Sequence, residues 1–297
     1  MKQARLNLPP ASGFSCSDDG RLLAGIGRRV IVVDLAARRR LSSSLPFSHP
    51  CHTSFSPDGS KLAVKSTSGR IAIIDPVSGE IAHDFENDSD GEGCAVRFSP
   101  DGRELVDGSW CGDLIVRSTS GHAGKRLSFP DGLITDVVHD LSRTVWLVLH
   151  QPRVVGDADE LPPSYVTIWH WPFSGAPVRR INLKSVVDAI CLSPDGNLMA
   201  FVEGFEESRA HIARVADGQI IASSELIGRR FLGSKLAWKQ RRQLHRCDDQ
   251  GRPISGDRCR SARCKQSVGS GEITLQPVRA RLAVSPGQQV ACLRRCQ

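Results

Sequence analysis

From Gly13 to Trp238 the chain alternates short apolar runs with turns rich in Gly, Pro, Asp and Ser. Cys94, Val96 and Phe98 alternate up to one such turn, and Leu105-Val106 follows it. A polar turn then leads to Leu114-Ile-Val116, and Ser120-Gly121 opens a more polar run. The second run recurs as Leu62-Ala-Val64, Val145 to Leu149 and Leu198 to Val202. The third recurs as Val30-Ile-Val-Val-Asp34, Ile71-Ala-Ile-Ile-Asp75 and Val166-Thr-Ile-Trp169, and the fourth as Val178-Arg-Arg-Ile-Asn-Leu183. Period-two alternation bounded by turn formers predicts short antiparallel strands, four to a unit. No amphipathic helical stretch competes with that reading.

The turns repeat as text. Phe55-Ser-Pro-Asp-Gly59 returns as Phe98-Ser-Pro-Asp-Gly102 and Leu192-Ser-Pro-Asp-Gly196, with a variant at Cys16-Ser-Asp-Asp-Gly20 and a worn copy at Val138-His-Asp-Leu-Ser142. Counted on the last residue of each, the steps are 39, 43, 40 and 54. Pro fixes φ and Gly tolerates positive φ, as a tight turn requires. Four strands in about 40 residues is the spacing of a propeller blade, whose sheet must stack on neighbours to bury both faces. On these copies, and on third strands ending in Val33-Asp34 or Ile74-Asp75, residues 1–238 resemble the WD40-like β-propeller repeat family in its degenerate bacterial form. The resemblance implies an all-β propeller of about seven blades. The family's Gly-His pair and blade Trp-Asp are missing, so apolar packing is expected to hold the blades in place of its internal hydrogen-bond network.

The segment Ala4-Arg-Leu-Asn-Leu8 resembles the fourth run Val178–Leu183, so residues 1–13 read as the outer strand of a closing blade that later residues should complete. A sixth unit opens at Lys235-Leu-Ala-Trp238, and the pattern then stops. Residues 239–297 hold no Phe, Trp or Tyr and carry 13 Lys+Arg against 4 Asp+Glu. A shift of reading frame near codon 239 accounts for this. One base later the codons permit Trp-Ser-Ser-Asp-Gly-x-x-Ile-Ala-Val, gap-free on Phe55 to Val64. Around Val284 to Cys292 they permit Phe-x-Pro-Asp-Ser-Lys-Leu-Leu-Val, a seventh blade start. The expected organisation is thus a propeller over 1–238 and a basic tail over 239–297, out of frame or disordered, with the last blades disrupted.

The averages over 297 residues, 40% apolar with a net charge of +7, conceal that division. Residues 1–238 carry 26 basic against 28 acidic side chains, so the whole excess lies in the tail, as do five of the ten cysteines. His245, Cys247, Cys259 and Cys264 lack the paired Cys-x₂-Cys spacing of a zinc site, and Cys292 and Cys296 add none. Nucleic acid becomes a partner only if the basic tail is genuine, because no aromatic platform accompanies it. Cys51 and Cys94 share a position four before the Phe, where Ile134 also sits, and read with Cys16 and Cys191 as small strand residues. Cys111 is the one expected at the surface. MKQARLNLPPASGF has a basic start and no apolar h-region, and no run reaches the length of a membrane span. A cytoplasmic, reduced setting is expected.

No catalytic, cofactor or metal signature emerges. Asp58, Asp101 and Asp195 recur because the turn needs them, and in Trp169-His-Trp171 alternation puts both tryptophans on one packed face. By the resemblance, loops joining fourth to first strands share a face with loops joining second to third. Those loops are acidic: Asp84, Glu86, Asp88, Asp90 and Glu92; Asp157, Asp159 and Glu160; Glu203, Glu206 and Glu207. The expectation is a non-catalytic scaffold binding a basic protein or peptide through this rim. The alternatives are a propeller enzyme or small-ligand binder using the central channel, or a sensor subunit of a larger regulatory system. Convergent His, Asp or Glu from inner strands would support the channel, and the sequence displays no such set.

Overall fold

The computed structural model describes residues 13–42, 47–85, 93, 95–121, 124–153, 161–204, 208–225, 235–240, 274–276 and 288–293. Among them lie five antiparallel four-stranded sheets, each strand paired with its sequence neighbour. The first comprises β1 (Gly13–Cys16), β2 (Leu22–Ile26), β3 (Val30–Asp34) and β4 (Arg39–Ser42); the second β5 (Pro50–Phe55), β6 (Leu62–Ser66), β7 (Ile71–Ile74) and β8 (Ile81–Phe85). The third holds β9 (Ala95–Phe98), β10 (Glu104–Gly108), β11 (Asp113–Ser118) and β12 (Lys125–Ser128); the fourth β13 (Gly132–His139), β14 (Val145–Pro152), β15 (Tyr165–His170) and β16 (Arg179–Asn182). The fifth holds β17 (Val187–Leu192), β18 (Leu198–Glu203), β19 (Arg209–Arg214) and β20 (Ile220–Ser223). First strands of consecutive sheets pack side by side, and the arrangement is a β-propeller. A three-stranded sheet follows, in which β21 (Lys235–Gln240) pairs antiparallel with β23 (Gln288–Leu293) and β22 (Thr274–Gln276) runs parallel to β23. The described blades number five, where the resemblance implies about seven. Residues 1–12 of the anticipated latch strand lie outside the described residues.

Strand alternation builds the stack. Leu62 and Val64 of β6 face the first blade, packing with Leu22, Ala24, Val30 and Val32. Ala63, between them, turns the other way onto Val96, Phe98 and Leu105 of the third blade. Every consecutive pair of blades is sealed by such an apolar cluster, including Leu236 against Ala189, Ala200 and Ile212. The largest aromatic group, Trp146, Trp169, Trp171 and Phe173, sits between the third and fourth blades, while His170 points to solvent.

The repeated turn owes its sequence to its hydrogen bonds. The Ser56 hydroxyl donates to Asp58 Oδ1 at 2.6 Å and accepts from Lys61 N at 2.9 Å, while Gly59, at φ 70°, donates its N–H to Ser56 O. Ser17, Ser99 and Ser193 repeat the pattern with Asp19, Asp101 and Asp195. Third-strand ends are closed likewise: Asp34 accepts from Ala37 N, and Asp75 from Val77 N and Ser78 N.

The worn fourth copy needs a correction of one residue. Asp140 N bonds Val145 O as Ser56 N bonds Lys61 O, and Arg143 N bonds Asp140 O as Gly59 N bonds Ser56 O. His139 thus stands where Phe55 does, and Arg143, at φ 57°, takes the glycine position. The steps on either side become 41 and 53 residues. First strands also share a β-bulge at Cys51, Thr135 and Asp188, so Thr135, rather than Ile134, matches Cys51.

Candidate functional site

Two surfaces emerge from this geometry: the loop face and the channel. Thr67 N donates to His49 O, Ser164 N to Ser185 O and Gly204 N to Val186 O. Each bond ties a second-to-third-strand loop to a fourth-to-first-strand loop, so both kinds open on one face. That face also displays Trp110 and Leu161, 39% and 55% exposed. Of the anticipated rim residues, Glu86, Asp88, Asp90, Glu92, Asp157, Asp159, Glu160, Glu206 and Glu207 lie outside the described residues. Asp84 lies at the end of β8, clasped by Arg70 through Nε at 3.0 Å and through Nη2, and this pairing holds its carboxyl below the usual range. Its charge is therefore largely met within the blade. Glu203 accepts from Lys184 N at 3.1 Å and lies 3.2 Å from His211 Nε2.

The first strands line a central cavity of about 620 Å³. Arg97 of β9 extends between His52 of β5 and Asp136 of β13, so three blades converge. Its Nη1 donates to the His52 ring, 2.7 Å from Nε2, and to Val96 O at 3.1 Å; its Nη2 lies 3.7 Å from Asp136 Oδ1. The last distance is an ion pair without a hydrogen bond. Burial pulls the guanidinium below its ordinary value, and Asp136 opposes that shift. Nearby, Ser15 and Thr53 hydroxyls bond at 2.7 Å across the first and second blades. His139 bonds through Nδ1 to Asp140 O, and burial lowers it to about 3, so it is neutral near pH 7.

Arg143 closes the turn end of the cavity. Its Nη1 donates to Phe98 O at 2.9 Å, and its Nη2 to Phe55 O at 3.3 Å and Asp18 Oδ2 at 3.0 Å. One side chain on the fourth blade thus ties the first three. Its Nε is buried without an acceptor, as is Trp238 Nε1, and both residues line the cavity.

The inner-strand set absent from the sequence reading is therefore present: His52, Arg97, Asp136 and His139. His52 and Asp136 stand three residues before the last residue of their strands, whereas Arg97 stands one before. Only alignment of the first strands, with the fourth copy corrected, would have brought them together. Among the cysteines, Cys16 joins Cys111 at the surface, Cys191 is buried, and Cys51 bonds Lys65 O and Gly93 O from the bulge at 3.5 Å. Cys94 and the tail residues His245, Cys247, Cys259, Cys264 and Cys296 lie outside the described residues. Among the described residues no group of three or more His, Cys, Asp or Glu is arranged to hold a metal ion, and no helix is long and apolar enough to cross a membrane.

No family model matches the chain, and no curated protein matches it. Among solved structures the chain is similar to the Kuenenia stuttgartiensis hydrazine synthase, at 17% identity and a TM-score of 0.61, over 77% of this chain and 70% of that one. At that identity the likeness is one of fold. The comparison and the blade geometry together establish a β-propeller.

Proposed function

We propose that the chain is a non-catalytic interaction scaffold, a WD40-like propeller whose acidic loop face binds a basic protein or peptide. The observation that carries this reading is the shared face. Backbone bonds at Ser164 and Gly204 fix the strand ends beside two of the acidic loops on one side of the ring, and the loop from β8 to β9 is of the fourth-to-first kind that opens on the same side. Trp110, exposed on that side, supplies an aromatic anchor of the kind in which interfaces concentrate their energy, and Leu161 adds apolar surface beside the loops. Charged loops around such anchors steer an oppositely charged partner and set its register. In an uninterrupted frame the ring would comprise seven blades in a cytoplasmic bacterial protein.

Pull-down of the full chain with a Lys/Arg-rich peptide tests the reading. Capture is expected to fall at high salt and to be lost on joint substitution of Asp88, Asp90, Asp157 and Asp159 by Asn. The Asp84→Asn variant is expected to bind as the wild type does, since Arg70 already holds that carboxylate. Binding indifferent to salt and to the four substitutions overturns the reading.

A further inference from the structure

The channel cluster has a function of its own to explain, independent of the loop face. Its volume, about 620 Å³, lies within the range of small-molecule sites. Its hydrogen-bonding surplus has one sign. The buried polar atoms without partners on its lining residues are donors, Arg143 Nε and Trp238 Nε1. Arg97 adds a guanidinium whose bonds run through Nη1 alone, with its nearest carboxylate 3.7 Å from Nη2. A guanidinium offers five N–H donors in a planar fork, and a carboxylate is a small group that matches two of them at once. Asp136 does not fill that place: its Oδ1 accepts Val137 N at 2.9 Å and stands beyond hydrogen-bond reach of Arg97. The Ser15 and Thr53 hydroxyls and the His52 ring provide further polar contacts on the same wall.

We propose that the central channel is a binding site for a small carboxylate-bearing ligand, held by the Arg97 guanidinium between His52 and Asp136. Arg97 is the residue that pairs with the ligand. Asp136 orients Arg97 while competing for its charge. That competition gives the site a signature a merely structural cluster lacks, because removing the Asp136 charge strengthens an anion's hold on Arg97.

Calorimetric titration of the full chain with succinate, and with succinamide and butane-1,4-diamine as neutral and cationic counterparts of matched length, tests this. The wild type is expected to bind succinate in preference to both, more weakly as salt rises. Arg97→Gln is expected to weaken succinate by at least about tenfold, and Asp136→Asn to tighten it severalfold. Circular dichroism establishes that each variant folds; if Arg97→Gln does not, the Asp136→Asn titration decides. Failure of the wild type to prefer succinate overturns the proposal, as does undiminished binding by folded Arg97→Gln or any absence of tightening in Asp136→Asn.

Discussion

Asp58 sits at the most repeated position of the chain, and its surroundings explain the repetition. The Ser56 hydroxyl, then the Ser60 N–H, hold its carboxylate below the usual range, so the charge is consumed in shaping the turn. Arg143 shows what happens where the turn loses its glycine. A positive φ is unfavourable for a residue with a Cβ by about 1–2 kcal/mol, and three carbonyl or carboxylate contacts in other blades offset it. The Arg143→Gly variant relieves the backbone but strips those partners of a charged donor, worth about 1.5–3 kcal/mol; a net loss near 1 kcal/mol is expected in denaturant unfolding. A more stable variant would show that the tie across the ring is idle. His150 carries a pH dependence. Burial first, then Arg180, lowers it to about 3, against about 6.5 in an unfolded chain. Between those values the unfolded state binds the extra proton, so stability is full above about pH 6.5 and declines as pH falls towards 3. His139 acts with the same sign. Melting temperature is expected to drop from pH 7 to pH 5, and His150→Gln to reduce the drop; a rise on acidification contradicts the assignment.

At the scale of the element, the strands were legible because short apolar runs end at turn formers; the inner ones, such as Leu62–Ser66 and Ile71–Ile74, are buried at every position. Val30–Asp34 is a strand over the span its apolar run marks, the run Ile71 to Asp75 exceeds its strand by one residue, and Val166 to Trp169 lies within a strand one residue longer at each end. The fourth turn was misplaced by one residue because it lacks both Pro and Gly, and a one-residue slip exchanges the faces of a strand. That slip also concealed the channel, since Asp136 comes level with His52 only when His139 is set on Phe55. Between the second and third blades a buried ionic cluster interrupts the apolar seal. Lys65 Nζ contacts Asp107 Oδ1 and donates to Gly108 O at 2.8 Å, and Arg117 Nη2 approaches Asp107 Oδ2 at 3.3 Å. All three are buried. Removing the shared anion leaves two cations in a low-dielectric interface, so Asp107→Asn is expected to destabilise by about 3–5 kcal/mol. A change under 1 kcal/mol, measured by chemical denaturation, would mean that water already reaches the cluster.

For the whole molecule, the division of charge is the governing fact. Residues 1–238 are nearly balanced and acidic on their loops, whereas 239–297 carry the entire basic excess. The frame shift proposed near codon 239 would make that excess an accident of translation. Resequencing the coding DNA across codons 235–300 is expected to reveal a single-base insertion or deletion, or a second frame running on through a seventh blade. A confirmed frame with a stable product would return the tail to the list of functional segments, with nucleic acid as its first partner to test. The loop face stands apart from that outcome, because its acidic segments all precede residue 208. Its most direct test is hydrogen–deuterium exchange on the full chain with and without a Lys/Arg-rich peptide. Protection confined to 84–92, 154–164 and 203–208 is the predicted result; protection of the Ser-Pro-Asp-Gly turns on the opposite face, or none at saturating peptide, would contradict it.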